Sequence, residues 1–225
     1  VTRAVKRFNN ARYGKNRTKL MGRHREFSVE TALDAAIGVF WRKGYEGTSY
    51  TDLTQATGVE RPALYSAFGN KEALFRRALE RYNERFLGYL PDALAQPTAR
   101  AVAGHFLRGA VALNTRFPEC LGCFGVNGAL AVSDDAEAIR QVLIDYRANG
   151  EAMLRTRFEA AKAEGDLPEA ADPATLAAYL MAVTHGIAVQ AKAGFSRAVL
   201  EAVAEQALAG WPAGAGPAPA DGDPT

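Results

Sequence analysis

Apolar residues recur every three to four positions along most of this chain, and no stretch alternates with the period of a strand. Ala32, Ala35, Ala36, Val39 and Phe40 form a stripe that predicts a helix from a Ser28 cap to about Lys43, stopped by Gly44. Residues 49–68 read differently, as two short helices around a tight glycine turn. Ser49 caps the first, with Asp52 three residues on, and Leu53 and Ala56 supply its inward face. Gly58 ends it, Val59 packs the turn, and Pro62 falls in the first turn of the next helix, where a missing N–H is harmless. Leu64 and Phe68 are four apart and share that helix's buried face. Asn70 caps a further helix with Leu74, Phe75, Leu79, Tyr82 and Phe86 on one side, which Pro91 is expected to end. Beyond it the pattern predicts helices over 98–115, 120–131, Asp134-Asp135 to Glu164, Asp172 to about Ala193, and Ser196 to about Gly210.

The expected fold class is therefore all-α, with a helix-turn-helix over about 49–68. Helices of that length are not stable alone. A scaffold has to hold them, which leaves the outer face of the second helix free to enter a DNA major groove. Arg61, Pro62, Ala63, Tyr65 and Ser66 lie on that outer side. Arg61 can take the O6 and N7 of guanine together; a phosphate contact or a plain surface charge are the other readings. Pro62 and Ala63 offer apolar contact to a thymine methyl.

The run Thr48-Ser49, Gly58-Val59, Pro62-Ala63-Leu64-Tyr65, Phe68, Asn70-Lys71, Ala73-Leu74-Phe75, preceded by Phe40 and Lys43-Gly44-Tyr45, resembles the N-terminal domain of tetracycline-repressor-like (TetR/AcrR) transcriptional regulators. The likeness covers about residues 26–86. Glu60 departs from it, standing where the family often has a Ser or Thr cap, and Ser66-Ala67 replace bulkier residues. The resemblance implies a linker helix after Asn70 and a C-terminal helical bundle, over 87–210, for effector binding and dimerisation. It also implies that Tyr65 donates to a phosphate. Lys71, Ser49 and Thr48 read as further backbone clamps, through side chains and helix N-terminal amides. The last two helices, with Leu176, Leu180, Val183, Ile187, Val199, Leu200, Val203 and Leu208, carry more apolar surface than one small bundle needs. Family members form a homodimer through this pair, and a twofold dimer is what reading two half-sites of double-stranded operator DNA requires.

Charge changes the picture at one end. The 225-residue chain has a net charge of +2, yet residues 1–25 hold nine Lys and Arg and no acid, which leaves a balance of −7 over the remainder. That arm can add phosphate or minor-groove contacts. Alternatively, Met21-Gly22-Arg23-His24-Arg25 reads as a natural start, and 1–20 as an upstream extension. Both 1–25 and the Pro, Ala and Gly-rich 211–225 are expected to be disordered. With no run of about 18 apolar residues, no secretory pattern and only two cysteines, the expected setting is the cytoplasm, without a membrane span or a disulfide scaffold.

The two cysteines, Cys120 and Cys123, form a Cys-Leu-Gly-Cys motif. Zinc binding lacks partners, because His24, His105 and His185 show no ligand spacing, so no metal or other cofactor is expected. A thioredoxin-type site lacks its βαβ setting. A redox or electrophile sensor remains, beside the plainer reading of two small core thiols; the segment from Gly122 to Asn127 resembles a Gly-Cys stretch in part of the family. The effector pocket is expected among His105, Phe106, Phe124, Asn127, Tyr146, Met153, Phe158, Tyr179, Met181, His185 and Gln190, and a small hydrophobic or aromatic molecule would suit it. The function expected is a homodimeric regulator, a repressor released by a small effector or by thiol oxidation. No nucleophile elbow, phosphate-cradling loop or acid pair points to an enzyme. The alternatives are a CxxC thiol oxidoreductase and a non-specific DNA-binding protein that uses the basic arm.

Overall fold

The computed structural model describes residues 28–119, 121–129 and 136–212. The basic arm, Cys120, the Asp134-Asp135 helix start and the tail beyond 212 lie outside the described residues. Within them the fold is all-α: α1 Val29–Lys43, α2 Tyr50–Thr57, α3 Arg61–Phe68, α4 Lys71–Phe86, α5 Tyr89–Leu94, α6 Ala99–Asn114, α7 Phe124–Ala129, α8 Glu137–Ala163, α9 Pro173–Lys192 and α10 Arg197–Ala209.

Local chemistry sets most of these boundaries. Ser28, Asn70, Thr98 and Ser196 each accept an amide of the first turn that follows, which satisfies a donor the helix itself cannot. Asp172 accepts from both Ala174 and Thr175, with Pro173 at the first helical position. Ser49 and Asp52 form a reciprocal capping box on α2, and Gly58 closes that helix in the left-handed region at φ 67°.

Two corrections concern the N-terminal half. The helix after Asn70 ends at Phe86, before Pro91. Pro91 instead sits in the first turn of α5, where its missing N–H is tolerated. Ala56 is exposed, so Leu53 alone anchors the inward face of α2.

Burial divides between two cores. The first packs α1 to α4 around Phe40, Trp41, Leu53, Leu64, Phe68, Phe75 and Tyr82, and it draws in Phe124, Ile139 and Leu143 from α7 and the start of α8. Trp41 meets Tyr82, Phe86 and Phe117 edge to face at centroid distances of 4.8, 5.0 and 5.5 Å. The second core joins α6, α8, α9 and α10 through Val102, Leu107, Leu154, Phe158, Leu180 and Leu200. Burying side chains such as Phe124 and Phe158 contributes about 1.5–3 kcal/mol each.

Candidate functional site

The recognition surface is built on α3. Leu64 and Phe68 bury its inner face, which leaves Arg61, Pro62, Tyr65 and Ser66 exposed and Ala63 half-buried. Glu60 occupies the cap position but makes no side-chain cap bond, so α3 starts without the first-turn support that α1 and α2 have.

Arg61 does not point freely into solvent. Its guanidinium lies 4.2 Å from the centroid of the Tyr50 ring and donates to the Tyr65 hydroxyl at 3.3 Å. The rings of Tyr50 and Tyr65 stack at 5.1 Å. The hydrogen bond from Arg61 lowers the Tyr65 phenol from its usual range, whereas burial raises that of Tyr50. The Tyr50 hydroxyl also accepts the Lys71 backbone N–H at 3.0 Å, so one ring ties the starts of α2 and α4 to α3. Tyr50 carries no periodicity signal, and reading along the sequence misses it.

The remaining sequence-predicted contacts separate into exposed and buried groups. The ammonium of Lys71 lies 4.5 Å from the Tyr45 centroid, and partial burial lowers its pKa. Ser49 is exposed; its hydroxyl donates to Asp52 at 2.8 Å, and Lys43 pairs with the same carboxylate at 2.6 Å. The Lys43 bond and the Ser49 bonds hold the Asp52 carboxyl well below the usual carboxylate range. Thr48 differs from expectation. It is buried, and its hydroxyl donates to the Gly44 carbonyl at 2.7 Å, so it braces the turn after α1 and presents no free hydroxyl.

A cavity of about 580 Å³ opens in the C-terminal bundle. Asn83 and Leu87 at the end of α4, with Tyr89, Leu90, Pro91 and Leu94 of α5, line one side. Phe106, Ala110, Leu113 and Asn114 line it from α6, and Tyr146, Gly150 and Met153 from α8. Asn149 and Leu154 of α8, with Cys123, Met181, Thr184 and His185, complete it. Of the residues expected there, Phe106, Tyr146, Met153, Met181 and His185 are in place.

The others are elsewhere, for structural reasons. Phe124 is fully buried in the N-terminal core, tilted against Phe75 and Tyr82. Asn127 is a bracket: its carboxamide NH2 donates to the carbonyls of Trp41 and Leu121 at 2.9 and 2.6 Å. Phe158 belongs to the second core, and His105, Tyr179 and Gln190 are exposed. Asn83, Asn114 and Thr184 are cavity residues that the sequence reading missed. For Asn114 a signal existed, a lone amide four residues after Ala110 on the apolar side of α6.

The electrostatics of the cavity are those of a neutral site. Burial lowers the His185 imidazole below its usual range, and the Arg147 charge adds to that. Burial raises the Cys123 thiol, partly offset by the Val126 and Gly125 amides and the Tyr82 hydroxyl. A protonated thiol is a poor nucleophile. No group of three or more metal-ligating side chains occurs among the described residues.

Residues 32–78 match the family model for bacterial regulatory proteins of the tetR family, and residues 97–207 match that for a tetracyclin repressor-like C-terminal domain. The HTH-type transcriptional repressor ComR of Escherichia coli K12 is 34% identical over 197 residues, 86% of this chain and 93% of that one. The HTH-type transcriptional repressor BdcR of the same strain is 31% identical over 134 residues, 59% of this chain and 66% of that one. Among solved structures, a cysteine mutant of the TetR family transcriptional regulator CifR, complexed with 26-bp double-strand operator DNA, is 41% identical with a TM-score of 0.79, covering 84% of this chain and all of that one.

Proposed function

The chain belongs to the TetR family of bacterial regulatory proteins, and on that premise we propose that it is a homodimeric, DNA-binding transcriptional repressor released by a small molecule in the bundle cavity. Arg61 makes the base contact, with Pro62 and Ala63 against the adjacent groove wall. Tyr65, Ser66 and Lys71 hold phosphates, together with Ser49 and the first-turn amides of α2. These contacts fix register, while Arg61 carries the sequence preference.

One observation supports release by a ligand. α4 begins at Lys71 against the recognition unit and ends in the cavity wall at Asn83 and Leu87. A molecule that fits the cavity better in one setting of α4 shifts the population toward that setting, and with it the spacing of the two α3 helices. Oxidation is the weaker trigger, because burial keeps Cys123 in its thiol form.

The second protomer belongs on α9 and α10. Tyr179, Val189, Phe195, Val199 and Val203 are large apolar side chains left exposed on this pair and the turn between them. α9 is also long and apolar enough by composition to cross a membrane. In this reading its open face is covered by the partner's matching face, the isologous arrangement a twofold operator reader needs.

Selection of genomic fragments by the purified protein, at two salt concentrations, tests the proposal. Recovery of a short inverted repeat that survives the higher salt is expected. Binding without a motif, collapsing as salt rises, would leave only sequence-independent phosphate attraction and overturn it.

A further inference from the structure

The polar side chains of the cavity narrow its ligand beyond "small and apolar". Asn114 is 3% exposed, and its carboxamide NH2 donates to the Ala110 carbonyl of its own helix at 2.7 Å. A carbonyl accepts only from the NH2 end, so this bond fixes which way the amide faces. The Asn114 Oδ1 is then a buried acceptor with no partner among the described residues. Asn83 Oδ1 and Thr184 Oγ1, from α4 and α9, are buried and unpartnered in the same way, and all three residues line the cavity. Buried polar atoms are almost always satisfied, so three unpartnered oxygens on residues that share one cavity wall single out that wall as the place for a polar contact.

No Lys, Arg, Asp or Glu is in the lining. Arg147 is not a lining residue, although its charge acts on His185 and Cys123 and its own Nη1 is buried without a partner among the described residues. An ionised ligand of either sign would thus be buried against a lining of hydroxyls, carboxamides and apolar groups that holds no counter-charge of its own. A hydroxyl, by contrast, can donate to the Asn114 oxygen and accept from the Thr184 hydroxyl.

We propose that the cavity binds an uncharged, largely apolar alcohol or phenol, whose hydroxyl donates to Asn114 Oδ1. The proposal rests on the cavity being a ligand site, as the released-repressor reading requires, but its test separates the two. Titration calorimetry of the full-length protein compares 2-naphthol, naphthalene and 2-naphthoate, which share one ring system. The expected order is 2-naphthol tighter than naphthalene by at least about tenfold, since a site built for a hydroxyl disfavours the analogue that lacks it, with 2-naphthoate weakest. Asn114→Leu, of similar volume, should erase the naphthol advantage without weakening naphthalene. Thr184→Val, nearly isosteric, should reduce the advantage and guards against a folding defect at Asn114. Equal binding of naphthol and naphthalene, tightest binding of the naphthoate, or binding of none of the three would overturn the proposal. Fluorescence anisotropy of labelled operator, read in the same samples, reports on repression separately. Naphthol preference without DNA release would uphold the ligand class and remove the effector role.

Discussion

Arg61 is positioned before it meets a base. Its stacking on Tyr50 and its bond to Tyr65 restrict a side chain that otherwise loses much rotamer freedom on binding. Arg61→Ala should therefore relax preference at one base pair of each half-site, by about 1–3 kcal/mol, whereas Lys71→Ala should weaken all sequences alike and flatten the salt dependence. Binding to a set of single-base operator variants separates the two. Glu60 offers the opposite kind of change. Because its side chain makes no cap bond, Glu60→Ser should stabilise the protein by about 0.5–1 kcal/mol, seen as a raised thermal midpoint. His185 gives a pH signature. Its folded pKa lies below the unfolded value of about 6.5, so the unfolded chain binds the extra proton first as pH falls. Its stabilising share is full above about pH 6.5 and shrinks as pH drops toward the folded pKa. Midpoints measured from pH 5 to 8 should rise less steeply in His185→Gln than in the parent; identical slopes would show that the imidazole is not held neutral.

At the scale of elements, the segment before and within α7 ties the first core to the cavity wall. Trp41 Nε1 donates to the Gly122 carbonyl at 2.6 Å, and Asn127 bridges Trp41 and Leu121, so α1 is strapped to the wall that carries Cys123. Asn127→Ala removes two such bonds and should destabilise the protein by about 2 kcal/mol. It should also blunt ligand-induced DNA release more than ligand binding, which calorimetry and anisotropy on one sample would distinguish. The same elements show where the sequence was readable. Ser28, Ser49, Asn70, Asp172 and Ser196 announce their helices because capping is local chemistry, visible within four residues. α5 was missed because Pro91 reads as a stop, although a first turn accepts it. The cavity was readable only by face. Phe106, Ala110, Leu113 and Asn114 recur on one side of α6, and His105, about 100° around the helix, turns outward. Tyr179 precedes Met181 by two residues and lies across α9 from it. Phe124 and Asn127 were misassigned because local spacing does not say which of two cores a short helix joins.

For the whole molecule, the deciding feature is the apolar face left open by α9 and α10. Val189, Val199 and Val203 are 44, 46 and 45% exposed, a degree of exposure out of keeping with their large apolar side chains in a buried-core bundle. Val199 and Val203 are one helical turn apart, so they project side by side from α10. Neither supports the protomer's own core, and Val199→Glu with Val203→Glu should leave helix content unchanged. Paired across a twofold axis, four carboxylates would be driven together out of water, a penalty far above the apolar contact they replace. The double variant should therefore sediment as a monomer at concentrations where the parent is a dimer. A monomer carries one α3 and engages one half-site, so it loses the intramolecular second contact that raises affinity by about 10²–10⁴. Operator affinity should fall by that order, while binding to an isolated half-site changes little. If the variant stays dimeric and keeps its operator, the partner sits on a different surface, and the spacing of the two recognition helices must be set there.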